Sequence, residues 1–156
     1  MRCLFPSHDR GGEWTCSTQV STPLTVNVPA KLLGTTTYFD LEHLTQTTDN
    51  AFIHNSSVTT PYIIDGDIRL DAGNGDVIRL EVRRWDDSIS SYEILRSYRK
   101  QVANSIGGND FVDFRPLVGR VFMDLQDRIE IWVTNESDGT DVTMQLDSFV
   151  DMSKLK

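Results

Sequence analysis

Val77-Ile78-Arg79-Leu80-Glu81-Val82-Arg83 decides the fold class. From Ile78 onward, apolar and charged side chains alternate, with Ile78, Leu80 and Val82 on one side of an extended chain and Arg79, Glu81 and Arg83 on the other. A period of two belongs to a β-strand with one face buried and one in water. Arg128-Ile129-Glu130-Ile131-Trp132-Val133 repeats the pattern with Ile129, Ile131 and Val133 inward, and residues 141–150 repeat it with Val142, Met144 and Leu146 sharing a side. These nine residues are the expected core of an antiparallel β-sandwich.

Working outward, residues 24–28, 35–41, 57–64, 67–70, 92–102 and 111–125 are rich in Val, Thr, Ile, Phe or Tyr and bounded by Gly, Asn, Asp or Pro, so each is an expected strand. Asp71-Ala72-Gly73-Asn74-Gly75-Asp76, Gly107-Gly108-Asn109-Asp110 and Ser137-Asp138-Gly139-Thr140 supply turns, because Gly and Asn reach positive φ at little steric cost. Tyr38, Leu41 and Leu44 are also spaced for one or two helical turns, an alternative that the pattern leaves open. The division drawn is an irregular N-terminal arm over residues 1–23 and one sandwich domain over residues 24–156.

The chain has 156 residues, and 15 basic against 23 acidic side chains leave a net charge of −8 with a pI near 4.7. That sign opposes partners held by phosphate neutralisation, so neither nucleic acid nor an anionic membrane surface is expected as partner. No apolar run nears the roughly 18 residues of a membrane span. The opening Met1-Arg2-Cys3-Leu4-Phe5-Pro6 has two apolar residues in a row before Pro6, short of the core of a secretory signal, so the chain is expected to be made in a cytoplasm.

Chemistry-bearing patterns are few. The three histidines, His8, His43 and His54, stand apart, and neither Gly-x-Ser-x-Gly nor His-Glu-x-x-His occurs, so no enzyme and no catalytic residue is assigned. Asp86-Asp87, Asp65 with Asp67, and Asp124 with Asp127 are carboxylate pairs of the kind glycoside hydrolysis uses, but acidic residues at strand ends are ordinarily turn formers. Asp71, Asn74 and Asp76 offer oxygen ligands without an EF-hand's order, and Cys3, His8 and Cys16 are one short of a closed zinc site. No metal or cofactor is therefore expected. A bond between Cys3 and Cys16 would close a short loop, and their spacing does not decide it. The one basic concentration, Arg79, Arg83, Arg84, Arg96, Arg99 and Lys100, falls on two expected strands that gather their positive faces if they pair. Arg83, Arg84, Arg96, Arg99 and Lys100 are the expected contact with an acidic protein surface.

Residues 120–137, with a turn at Gln126-Asp127 and a strand ending in Asn135, followed by a closing strand with Ser148-Phe149, resemble the last strands of the TNF/C1q-like jelly roll. The glycine customary in that turn is absent. Asp65-Gly66-Asp67-Ile68-Arg69-Leu70 and residues 79–85 fit its middle strands, so the resemblance spans residues 57–150. It implies an all-β jelly-roll sandwich assembled as a homotrimer. Similar domains stand alone on tailed-phage particles, as head decoration (cement) proteins or fibre tips. The short arm and the lack of a secretion signal or stalk favour that setting over a secreted C1q/TNF-like ligand. The resemblance thus implies a virion protein on the head surface with the major capsid protein as partner, the alternative being a glycan-binding fibre tip. By strand alternation Phe122 and Phe149 face away from the core, and the resemblance places both strands in the sheet that packs between protomers, which makes them the expected trimer interface.

Overall fold

The computed structural model describes residues 9–39, 41–46, 50–103 and 110–155. Their elements are strands throughout: β1 (Asp9–Thr18), β2 (Ser21–Thr22), β3 (Ala30–Lys31), β4 (Thr35–Phe39), β5 (Leu44–Gln46), β6 (Phe52–His54), β7 (Thr60–Asp71), β8 (Val77–Asp86), β9 (Ser91–Gln101), β10 (Phe111–Phe114), β11 (Leu117–Met123), β12 (Arg128–Asn135), β13 (Val142–Met144) and β14 (Phe149–Lys154). They form two antiparallel sheets of eight and six strands. No helix among the described residues is long and apolar enough to cross a membrane.

The larger sheet is built on β7. Phe111 and Thr143 both pair with Asp71, and Leu117 and Asp151 both pair with Asp65, so β10 and β11 run along one flank of β7 while β13 and β14 run along the other. Each flank is broken once. At Arg115-Pro116 the proline has no N–H to give a ladder. At residues 145–148 the Ser148 hydroxyl takes the place of a backbone acceptor for Arg69 N at 3.0 Å and also donates to Arg69 O at 3.2 Å, which Gln145 N holds at 2.9 Å. The smaller sheet centres on β12, flanked by β8 on one side and by β3 and β6 on the other, with β9 beyond β8 and β5 beyond β6.

Eight of the nine expected core residues are buried between the sheets, joined by Trp14, Phe52, Tyr62, Ile64, Phe114 and Met152. Leu146 is the exception at 56% exposure, because the chain leaves strand geometry after Met144 and turns, with Ser148 N bonded to Gln145 O. Leu125 is exposed for the same reason, lying in the turn that follows Met123. In that turn Gln126 adopts φ 71°, the left-handed conformation that the customary glycine would take without strain.

The irregular arm expected over residues 1–23 is corrected by β1, which lies between β14 and β4 with Trp14 only 1% exposed. Gly11 and Gly12 are there for close approach: a Cβ on Gly11 would stand 2.6 Å from the Tyr62 ring, and one on Gly12 would stand 2.8 Å from Leu41. The register against β14 shifts between Arg10 and Gly12, so Gly11 is the extra residue of a bulge. Three smaller expectations change as well. Residues 60–64 and 67–70 belong to a single strand running through Asp65-Gly66, and residues 57–59 precede it as a bend. Residues 24–28 make a tight turn closed by a Thr25–Val28 bridge. The stretch from Tyr38 to Leu44 is strand and bend in its described residues, with no helical turn.

Candidate interaction surfaces

On the outward side of the eight-stranded sheet, odd-numbered residues of β7 meet their register partners. Phe122 lies beside Pro61 and is 49% exposed, and Phe149 lies half-buried beside Asp67. The two phenylalanines therefore share a sheet and a side, as expected. Their partners on β7 are six positions apart, about 20 Å along the strand, so they do not form one contiguous patch. Between them, Glu13, Asp151 and Asp65 stand abreast on β1, β14 and β7, with Phe39 and Leu117 at the two ends of the row.

The five expected contact cations are divided by the same alternation. Arg83 points to the outer side of the six-stranded sheet, bonded to Glu81 at 2.5–2.8 Å. Arg84 points the other way, donating to Phe122 O at 2.8 Å and to Asp86 at 2.9 Å. Lys100 reaches Asp113 O at 2.5 Å, and Tyr98 both donates to Leu117 O and accepts from Leu117 N. Arg84, Tyr98 and Lys100 thus tie β8 and β9 to the backbone of β10 and β11 across one open side of the sandwich. Arg99 pairs with Glu136 at 2.5 Å, and Arg96 is exposed on β9. The hydrogen bond from Arg99, seconded by Arg79, holds the Glu136 carboxyl below the usual carboxylate range.

The outward side of the six-stranded sheet carries a cluster that was not singled out in the sequence. Trp85 on β8, Tyr92 on β9 and Trp132 on β12 pack edge-to-face, with ring centroids 4.9 and 5.4 Å apart. Arg83 lies over Trp132 at 4.4 Å and Arg128 over Trp85 at 5.1 Å. Beneath them the buried Glu130 accepts from Lys31, Trp132 Nε1 and Tyr92 Oη at 3.0–3.1 Å. Burial and the adjacent Glu130 push the Tyr92 phenol up. The outward residues of the very alternation used to assign the strands, Arg128, Glu130 and Trp132 opposite Arg83 and Trp85, were the signal for it.

The carboxylate pairs act as structural hubs. Buried Asp127 accepts from Asp87 N and Asp124 N, while its backbone carbonyl accepts from His54 N, so one residue ties its own turn to the loop after β8 and to the end of β6. Asp86 accepts from Ser88, the main cause of its lowered pKa. Asp76 turns inward and accepts from Asn135 Nδ2 at 2.8 Å instead of facing Asn74. Asn135, fully buried, also binds Asp138 and the carbonyl of Thr140, which accounts for an asparagine at the end of β12. His54 is buried between Val58 O and the Tyr62 hydroxyl, and burial raises the Tyr62 pKa to about 12. A polar cleft of about 180 Å³ is lined by Asp67, Arg69, Asp113, Arg115 and Asp147, with Arg69 spanning Asp113 and Asp147. Cys16 is a buried free thiol, and Cys3, His8 and the expected turn over Gly107-Gly108-Asn109 lie outside the described residues.

No known family model matches the chain, and no curated protein matches it. Solved structures do. The Eiger TNF of S. frugiperda is 15% identical, with a TM-score of 0.65 over 93% of this chain and 91% of that one. Murine APRIL at pH 8.0 is 12% identical, with a TM-score of 0.66 over 96% of this chain and 100% of that one. At these identities the likeness establishes the fold, an all-β jelly-roll sandwich of the TNF-like kind.

Proposed function

We propose that the chain is a non-enzymatic virion protein of a tailed phage: a homotrimer on the head surface that contacts the major capsid protein and stabilises the shell. The supporting observation is the outward side of the eight-stranded sheet, where Phe39, Leu117 and Phe122 are exposed and Phe149 is half-buried. These apolar side chains are spread along the sheet around an acidic row, and in the jelly rolls this chain resembles that sheet packs between protomers, which would take each of them out of water. Stabilisation of a shell follows from mass action, since buried area added across capsid subunits favours the assembled state. Of the cations read from the sequence, Arg96 and Arg99 keep the exposure that contact with an acidic shell surface uses.

Light scattering on Phe122→Ser with Phe149→Ser, beside the wild type, tests the association. The expected result is a trimeric wild type and a folded, monomeric double variant. Heads stripped of their own decoration protein should bind the wild type and then withstand heating better. A wild type that is monomeric and leaves stripped heads bare ends the proposal. The fold likeness to Eiger and APRIL favours a second reading, a secreted TNF-like ligand, which binding to animal-cell surfaces would support.

A further inference from the structure

The outward side of the six-stranded sheet differs from an ordinary solvated face in how its charges are layered. Three of its carboxylates, Glu81, Glu130 and Glu136, are at most 10% exposed at the side chain, and Asp87 at its edge is open to water, whereas Arg79, Arg99 and Arg128 are between 33% and 65% exposed. Although the chain is acidic overall, the centre of this face shows water Arg79, Arg99 and Arg128 and keeps its three glutamates underneath. Among those cations stand Tyr92 at 41% exposure and Ile94 at 53%; Ile94 is the register partner of Arg83. Tyrosine, tryptophan and arginine are the residue types that concentrate binding energy at protein interfaces.

The cluster is also fixed in advance. The Tyr92 hydroxyl and the Trp132 indole N–H are held by Glu130, the Trp85 indole N–H by Asp87, and the Arg83 guanidinium by Glu81. A partner would therefore meet ordered side chains whose polar atoms already have internal partners, which lowers both the ordering and the desolvation cost of docking. The same arrangement disfavours two other ligands. Arg83 and Arg128 lie over the two indole rings, leaving little ring face for a base or a sugar to stack on, and the satisfied polar atoms leave few groups to read sugar hydroxyls.

We infer that this face, centred on Tyr92, Ile94 and Arg128, is a docking surface for a partner protein that presents carboxylates beside aliphatic side chains. Arg128 is the cation placed to receive such a carboxylate, because its own carboxylate contact, with Glu130, is as long as 3.9 Å. Tyr92 and Ile94 supply the adjoining apolar ground. The inference rests on the reading of the chain as a protein that works by surface contact, but not on its assignment to a phage.

Immobilised synthetic peptides test it: an alternating Glu–Leu peptide, its Lys–Leu counterpart, and an oligothymidylate as the nucleic-acid probe, with a glycan array beside them. The wild type should bind the Glu–Leu peptide alone. Ile94→Ser and Arg128→Gln should each weaken that binding by roughly tenfold or more. Both positions are at the surface, so unchanged melting temperatures will show that the variants are folded. No binding of the Glu–Leu peptide, binding indifferent to both variants, or a preference for the oligothymidylate, the glycans or the Lys–Leu peptide overturns the inference. Decoration of stripped phage heads keeps the two readings apart. Peptide binding without decoration sinks only the phage assignment, and decoration without peptide binding sinks only this surface.

Discussion

The two outward faces of the sandwich obey one alternation rule and end with opposite chemistry. On the six-stranded sheet, carboxylates lie under a roof of indole, phenol and guanidinium groups and are matched by cations. On the eight-stranded sheet, Glu13, Asp151 and Asp65 stand abreast on three neighbouring strands. Strand periodicity fixes which side a residue faces and says nothing of whether its neighbour across the ladder is friend or rival. That second property decides whether an acidic side chain supports its sheet or strains it.

The largest loss of stability is expected on removing a strand from one face. A chain lacking residues 1–18 loses β1 from between β14 and β4 together with the buried Trp14, and circular dichroism should show no cooperative melt. Next in size is Glu130→Gln. It leaves Lys31 and the two aromatic donors on a weaker acceptor, and urea unfolding should report a loss of about 1.5–3 kcal/mol.

Glu136→Gln should act mainly through pH. A carboxyl held below its ordinary value adds stability above the unfolded-state pKa of about 4.3 and loses it as pH falls through the folded value. The wild type should therefore show a steeper drop in urea stability below about pH 4 than the variant does. The smallest effect, with the opposite sign, belongs to Glu13→Gln. Relieving repulsion with Asp151 should raise stability by about 0.2–1 kcal/mol in the same assay. An equal loss from Glu13→Gln and Glu130→Gln would erase the contrast between the faces.

The alternating strands were legible because a half-buried strand writes its burial into the residue order, as Ile78, Leu80 and Val82 do. β1 was not, because glycine has two uses that look alike in a sequence. At Gly11 and Gly12 it makes room for Tyr62 and Leu41 instead of turning the chain. The break at residues 145–148 was hidden for a different reason. Ser148 substitutes a hydroxyl for a backbone acceptor, and only the position of Arg69, far away in sequence, gives that hydroxyl its task. The basic residues stand out in the sequence, but their grouping does not: Arg83 and Arg84 are adjacent in sequence and so point to opposite sides of one sheet. The aromatic cluster needed pairing as well as pattern, since β9 reaches Trp132 only through β8.

The clasp formed by Arg84, Tyr98 and Lys100 bears on how crowded this protein can safely be. A bare strand border is a template on which another chain can grow, the first step toward cross-β fibres. Here carbonyls of Asp113, Leu117 and Phe122, and the amide of Leu117, are already engaged by side chains arriving from the opposite sheet. An incoming strand would have to displace a guanidinium, a phenol and an ammonium group to zip onto that rim. Copies packed side by side at high local density can therefore touch there without polymerising.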